Sequence, residues 1–128
     1  MTNIIIDTDI GTDVDDALAI SYAVRAGLDV KLITTVHGDT SLRARIAKKL
    51  TKDLLGADIP VAAGEKYPIK QKFLYWTGQE GKDFVTEDGQ GDIPTNGVEA
   101  IIQCAETYKH DITLISIGPL TNIARALQ

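Results

Sequence analysis

Five aspartates fall within ten residues near the start of the chain: Asp7, Asp9, Asp13, Asp15 and Asp16, in the segment IIIDTDIGTDVDDALAI. Two like unit charges about 4 Å apart repel by roughly 1 kcal/mol in water and roughly 4 kcal/mol at the effective dielectric of a protein cleft. Several such pairs in one place are costly unless protons or a cation neutralise them. The cluster therefore predicts a divalent metal site, and oxygen-only donors suit calcium or magnesium.

The surrounding pattern says how such a cluster is held. Ile4 to Asp7 reads as a strand and Val14 to Ala26 as a helix stopped by Gly27, with the carboxylates at the junction. Val30 to Val36 is a near-continuous apolar strand of the kind covered on both faces. Ser41 is expected to cap a helix in which Leu42, Ile46, Leu50 and Leu54 repeat at four-residue spacing, ended by Gly56. Ile59 to Ala63 is a short third strand. Asn96 is expected to cap a helix through Val98, Ile101, Ile102, Ala105 and Tyr108. Ile112 to Ile117 is a fourth strand, and Pro119 suits the first turn of a last helix carrying Leu120, Ile123, Ala124 and Leu127. Strands alternating with helices predict an α/β fold, an open and mostly parallel sheet with helices on both faces. Ligands in such sheets bind outside the carboxyl ends of the strands. Asp7 and Asp9, His37 to Asp39, and Ile117-Gly118 all fall there. The stretch 64–95 is long, polar and weakly periodic, as functional loops often are. The last helix pattern runs to Gln128 without a stop signal, and four strands alone leave a sheet edge open. Residues 1–128 are therefore expected to be the N-terminal part of one larger domain.

Bulk composition narrows the classes. A net charge of -5 and the absence of a basic stripe argue against nucleic acid as a partner. The residues Arg43, Arg45, Lys48, Lys49 and Lys52 are expected to form only the solvated face of a helix. A single cysteine, Cys104, excludes an intrachain disulfide and is expected to be a buried, inert thiol. No leader pattern and no run of membrane-spanning length is present, so a cytoplasmic protein without a membrane role is expected.

The segment Asp7-Thr8-Asp9-Ile10-Gly11-Thr12-Asp13-Val14-Asp15-Asp16-Ala17 resembles the signature of the inosine-uridine preferring nucleoside hydrolase family, in the form with two extra residues between the Gly and the Asp-Asp-Ala. Val36-His37-Gly38-Asp39 and Ile117-Gly118-Pro119-Leu120-Thr121-Asn122-Ile123-Ala124 are similar to two further family segments in the same order. Ile59-Pro60-Val61 followed by Gly64, and Trp76-Thr77-Gly78-Gln79-Glu80-Gly81, are weaker matches. The resemblance implies a Rossmann-like fold and a calcium-dependent hydrolysis of the N-glycosidic bond of ribonucleosides to ribose and free base, in purine or pyrimidine salvage, by a homo-oligomer. Such reactions pass through an oxocarbenium-like transition state that carboxylates stabilise. A metal lowers the pKa of water beside it, and a neighbouring carboxylate takes the proton.

On this resemblance Asp9 is the base and a calcium ligand, Asp16 the principal ligand, and Ile117 a ligand through its backbone carbonyl. Asp15 accepts a ribose hydroxyl, and Asp7 supports the metal. Asp39, where better-known members have asparagine, is expected to face the sugar, with capping as its alternative. Asp13 is as well suited to a helix N-cap as to a ligand. Asn122 and His37 are expected to make local hydrogen bonds, and His110 to lie on the surface. Trp76 suits either a stacked base or a packed interior. Gln79 stands where a histidine is frequent. Family members are considerably longer, so the resemblance implies that one more metal- and ribose-binding aspartate and a histidine near the leaving base lie outside these residues. A family fragment that binds metal without turnover is therefore a second reading.

Two other classes fit less well. Asp7-Thr8-Asp9 after an apolar strand mimics the acid pair of haloacid dehalogenase-like phosphohydrolases, yet no later Lys and paired Asp follow. A helical-hand calcium loop counted from Asp7 needs Gly and Glu where Thr12 and Leu18 stand.

Overall fold

The computed structural model describes residues 2–70, 73–86 and 89–128. Three consecutive β-branched residues, Ile4, Ile5 and Ile6, build β1 (Asn3–Thr8), and all three are buried. Their alternation divides the core. Ile4 and Ile6 join Ile20, Ala44 and Ala47 on one side, while Ile5 joins Leu32 and Ile101 on the other. The sheet is thus covered on both faces, by α1 (Asp15–Arg25) and α2 (Thr40–Lys48) on one and by α3 (Gly97–Tyr108) and α4 (Thr121–Ala126) on the other. With β2 (Asp29–Thr35), β3 (Val61–Ala63) and β4 (Thr113–Ser116), the strands run parallel in the order β3-β2-β1-β4. The expected α/β architecture is the observed one.

The strand order places a switch point between β1 and β4. The chain first steps outward, β1 to β2 to β3, then returns through α3 to the opposite side of β1. Loops leaving the carboxyl ends of β1 and β4 must diverge there, which opens a crevice. Among the described residues strand β4 is paired only with β1, and Leu114 and Ile115 on it remain 36% and 38% exposed.

Local corrections to the sequence reading follow from hydrogen bonding. Asp39, not Ser41, caps α2: its Oδ1 accepts from the Leu42 N–H at 3.0 Å. The second helix is α-helical only to Lys48 and then π-helical over Lys49–Leu54. There the Thr51 hydroxyl donates back to the Ala47 carbonyl at 3.0 Å, a competitor for the ordinary helical bond. The wider turn carries Leu54 off the expected apolar stripe, and it is exposed. Asn96 precedes α3 as expected but makes no side-chain cap. Helix α4 starts at Thr121, beyond Pro119, and Leu120 and Leu127 are exposed instead of packed. Between Ala63 and Gly97 the described residues form no helix or strand; Gln71, Lys72, Glu87 and Asp88 of that loop lie outside them. Among the described residues no helix is long and apolar enough to cross a membrane.

Candidate active site

Three segments meet at the crevice. The loop after β1 brings Asp9, Thr12, Asp13, Asp15 and Asp16, the turn after β2 brings His37, and the turn after β4 brings Ile117 and Pro119. Arg43 from α2 and Tyr75 from the long loop complete the wall of a cleft of about 380 Å³, within the range of small-molecule sites.

Asp16 is the buried carboxyl among those that line the cleft. It sits in the first turn of α1, where the helix N-terminus favours negative charge. Its Oδ2 accepts from the Thr8 hydroxyl at 2.6 Å. Burial pushes its pKa up to about 6; the Thr8 bond opposes this, while the neighbouring carboxylates Asp9 and Asp15 add to it. Asp9 and Asp16 line the same cleft, so their charges bear on one another. Asp15 is exposed at the cleft mouth. Asp13 lines the cleft but caps nothing, since Val14 flanks α1 without a side-chain bond.

Asp7 lies behind this pair, not in it. It is fully buried; its Oδ1 accepts from Thr34 Oγ1 at 2.6 Å and from Asn122 Nδ2 at 2.7 Å, and its Oδ2 has no partner among the described residues. Burial raises its pKa against those two bonds. Asn122, 0% exposed, also donates to the Thr35 carbonyl at 2.9 Å and accepts from the Glu65 N–H at 2.8 Å. It joins β1, β2 and the long loop, a structural role but a long-range one, not the local turn bond expected. Asp39 does not line the cleft; its carboxylate serves the α2 cap. His37 takes a left-handed backbone (φ 74°) and its Nε2 accepts from the Tyr75 N–H at 3.0 Å.

Two residues escaped the sequence reading. Arg43 is only 1% exposed, far from the solvated face assigned to it. Its Nη1 donates to the carbonyls of Asp9 (2.6 Å) and Ile10 (3.0 Å) and to Thr12 Oγ1 (3.1 Å), its Nε to the His37 carbonyl (2.7 Å), and the Trp76 ring lies 4.9 Å away. The signal was the neighbouring Ala44 and Ala47, small residues that mark the helix face lying closest to the sheet. Glu80 is the second. It is buried and accepts from Thr12 Oγ1 (3.0 Å), from the Thr77 N–H and hydroxyl (3.0 and 2.8 Å) and from the Gly78 N–H (2.9 Å). Burial raises its pKa, but these bonds prevail and hold it near about 2. Trp76 packs on Gly38, where any Cβ would strike the ring, and Gln79 is exposed.

The sequence pattern of the inosine-uridine preferring nucleoside hydrolases matches residues 4–128. This chain belongs to that family. The family match sets aside the phosphohydrolase and helical-hand readings. A non-specific ribonucleoside hydrolase, RihC, of Klebsiella pneumoniae is 37% identical over 97% of this chain and 42% of its own length. A probable uridine nucleosidase 2 of Arabidopsis thaliana is 37% identical over 98% and 41%. Among solved structures, a plant nucleoside hydrolase, PpNRh1, superposes with TM-score 0.80 at 28% identity over 98% of this chain and 42% of that one. An inosine-guanosine nucleoside hydrolase gives 0.79 at 30% identity, over 99% and 43%. The chain thus spans about 42% of the length of the relatives it matches.

A divalent cation fits the donors at this nucleoside hydrolase cleft in kind. Asp9 and Asp16 offer two carboxylates that repel unless neutralised, and Ile117 stands across the crevice. All are oxygen donors of the type calcium and magnesium accept. In number they fall short: among the described residues no three His, Cys, Asp or Glu side chains gather into a metal-holding group. Asp15 is exposed, and Asp7 is buried outside the cleft lining with only its Oδ1 engaged.

Proposed function

We propose that this chain supplies the cation- and ribose-facing part of a site that hydrolyses the N-glycosidic bond of ribonucleosides, as the N-terminal part of one nucleoside hydrolase domain. The single observation that carries the reading is that Asp9, Asp16 and Ile117 line one cleft at the switch point between β1 and β4. Calcium is the cation assigned, held by Asp9, Asp16 and the Ile117 carbonyl, with the remaining ligands from solvent, substrate and residues outside this chain. Bound there, it supplies a fixed positive charge and lowers the pKa of adjacent water. Asp9 takes the proton from the attacking water. Asp15, at the mouth, accepts a sugar hydroxyl, and the carboxylates together stabilise the growing charge on the sugar. Asp7 and Asp39 are left with supporting and capping work. A cytoplasmic salvage enzyme, homo-oligomeric when whole, goes with this reading.

A second reading is favoured by the shortage of ligands: these residues alone bind calcium weakly and turn over poorly or not at all. Titration of the 128-residue chain with Ca²⁺ by calorimetry, beside Asp16→Asn, tests the site. Heat of binding that is lost in the variant is expected, and identical titrations sink the assignment. Base release from inosine and uridine, with and without Ca²⁺, tests turnover. Rapid release by this chain alone would overturn the second reading.

A further inference from the structure

The two residues that lengthen the first loop, Thr12 and Asp13, have no part in the chemistry above. Thr12 nevertheless occupies a junction. Its hydroxyl is the acceptor for Arg43 Nη1 at 3.1 Å and the donor to Glu80 Oε1 at 3.0 Å. A hydroxyl does both at once, which neither a carboxylate nor an ammonium does. On one side of it Arg43 holds the carbonyls of Asp9 and Ile10, and so the path of the backbone that aims the Asp9 carboxylate. On the other, Glu80 gathers the N–H groups of Thr77 and Gly78 and fixes the turn that follows Tyr75 and Trp76. Both charged partners are buried and Thr12 is half-buried, so the two bonds are only partly open to water.

We propose that Thr12 is a positioning residue that couples the carboxylate loop to the aromatic wall carrying Tyr75 and Trp76, so that the sugar end and the far end of the cleft move as one body. The assignment deepens the proposed nucleoside site and rests on it for the ligand. The alternative attachment of the wall, the Tyr75 N–H to His37 bond, lies at one end of the loop and acts as a pivot without the Thr12 link. Trp76 also rests on Gly38 and beside Arg43, contacts that have no hydrogen-bond direction, and the Thr12 link adds a directional bond to them.

The test compares Thr12→Val, which keeps the shape and removes the hydroxyl, with Thr12→Ser, which keeps the hydroxyl. Hydrogen exchange of the 128-residue chain is followed in segments 9–16 and 75–81, and Ca²⁺ affinity by calorimetry. Thr12→Val is expected to speed exchange in both segments together and to weaken Ca²⁺ binding about tenfold, the usual effect of losing a group that orients a metal ligand. Thr12→Ser restores both. Glu80→Gln, a second variant with no surface to disturb, is expected to follow Thr12→Val. If Thr12→Val leaves either segment at its wild-type rate, or if Thr12→Ser behaves as Thr12→Val, the coupling is refuted. Normal affinity in Thr12→Val refutes it as well. Absence of Ca²⁺ binding in the unaltered chain instead overturns the metal reading, while the exchange comparison still decides the role of Thr12.

Discussion

Replacing Asn122 by alanine removes a residue that ties three segments behind the cleft. Three bonds go. The Thr35 carbonyl keeps a second donor, the Gly64 N–H at 2.8 Å, so its loss is small. The Glu65 N–H is part-buried, so losing its partner falls at the low end of the cost of an unpartnered donor, about 1 kcal/mol. Asp7 loses one of its two donors, and hydrogen bonds to charged groups contribute about 1.5–3 kcal/mol. The expected destabilisation is therefore roughly 3 kcal/mol, a large share of the 5–15 kcal/mol typical of a domain. It should also depend on pH. Asp7 has a folded pKa raised above 3.8, and removing Asn122 takes away a bond that lowers it. A carboxyl with a raised folded pKa favours the fold when protonated, and that benefit is lost as pH rises from 3.8 through the folded value. The penalty of Asn122→Ala should therefore grow from acid to neutral pH. Urea unfolding followed by circular dichroism at several pH values, with unchanged slopes, measures it. A penalty under about 1 kcal/mol at neutral pH, or one that is larger in acid, would refute the account of Asp7 and Asn122.

Asp39→Ala should cost about 0.5–2 kcal/mol through loss of the α2 cap while leaving Ca²⁺ affinity unchanged, as read by thermal melting and calorimetry; a large affinity loss would return Asp39 to the site. Without a cation, ionising Asp16 should weaken the fold as pH rises from 3.8 through about 6, by on the order of 3 kcal/mol. Added Ca²⁺ should then raise Tm more at neutral pH than at pH about 5, and an equal shift at both would contradict a cation held by Asp9 and Asp16. Gly118→Ala places a Cβ 3.0 Å from the Asp9 nitrogen and 3.1 Å from Val36 Cγ1. About 1–3 kcal/mol of destabilisation is expected, with weaker cation binding; an unaffected titration would show that the β4 turn does not shape the site.

What was legible in the sequence follows from how local each cause is. The strands declared themselves through apolar runs such as Ile4 to Ile6, and the carboxyl ends of β1 and β4 converge as alternating strands and helices require. The grouping of Asp9, Asp15, Asp16 and Ile117 was readable for the same reason. The cap of α2 was misjudged because Asp39 and Ser41 are both good cap residues, and only the backbone angles before Thr40 choose between them. Arg43 was hidden because its partners are mostly carbonyls of two other segments, which carry no side-chain signature. The π-helical turn after Lys48 likewise has no mark in apolar periodicity.

Strand β4 gives this molecule a practical temperament. Its outer row of amide groups has no partner among the described residues, and Leu114 and Ile115 beside it stay open to solvent. Bare rows of this sort recruit other extended chains. Purified alone, the 128-residue polypeptide should therefore behave as a sticky solute, its monomer fraction falling as it is concentrated. A lysine in place of Leu114 would improve handling without reaching the cleft.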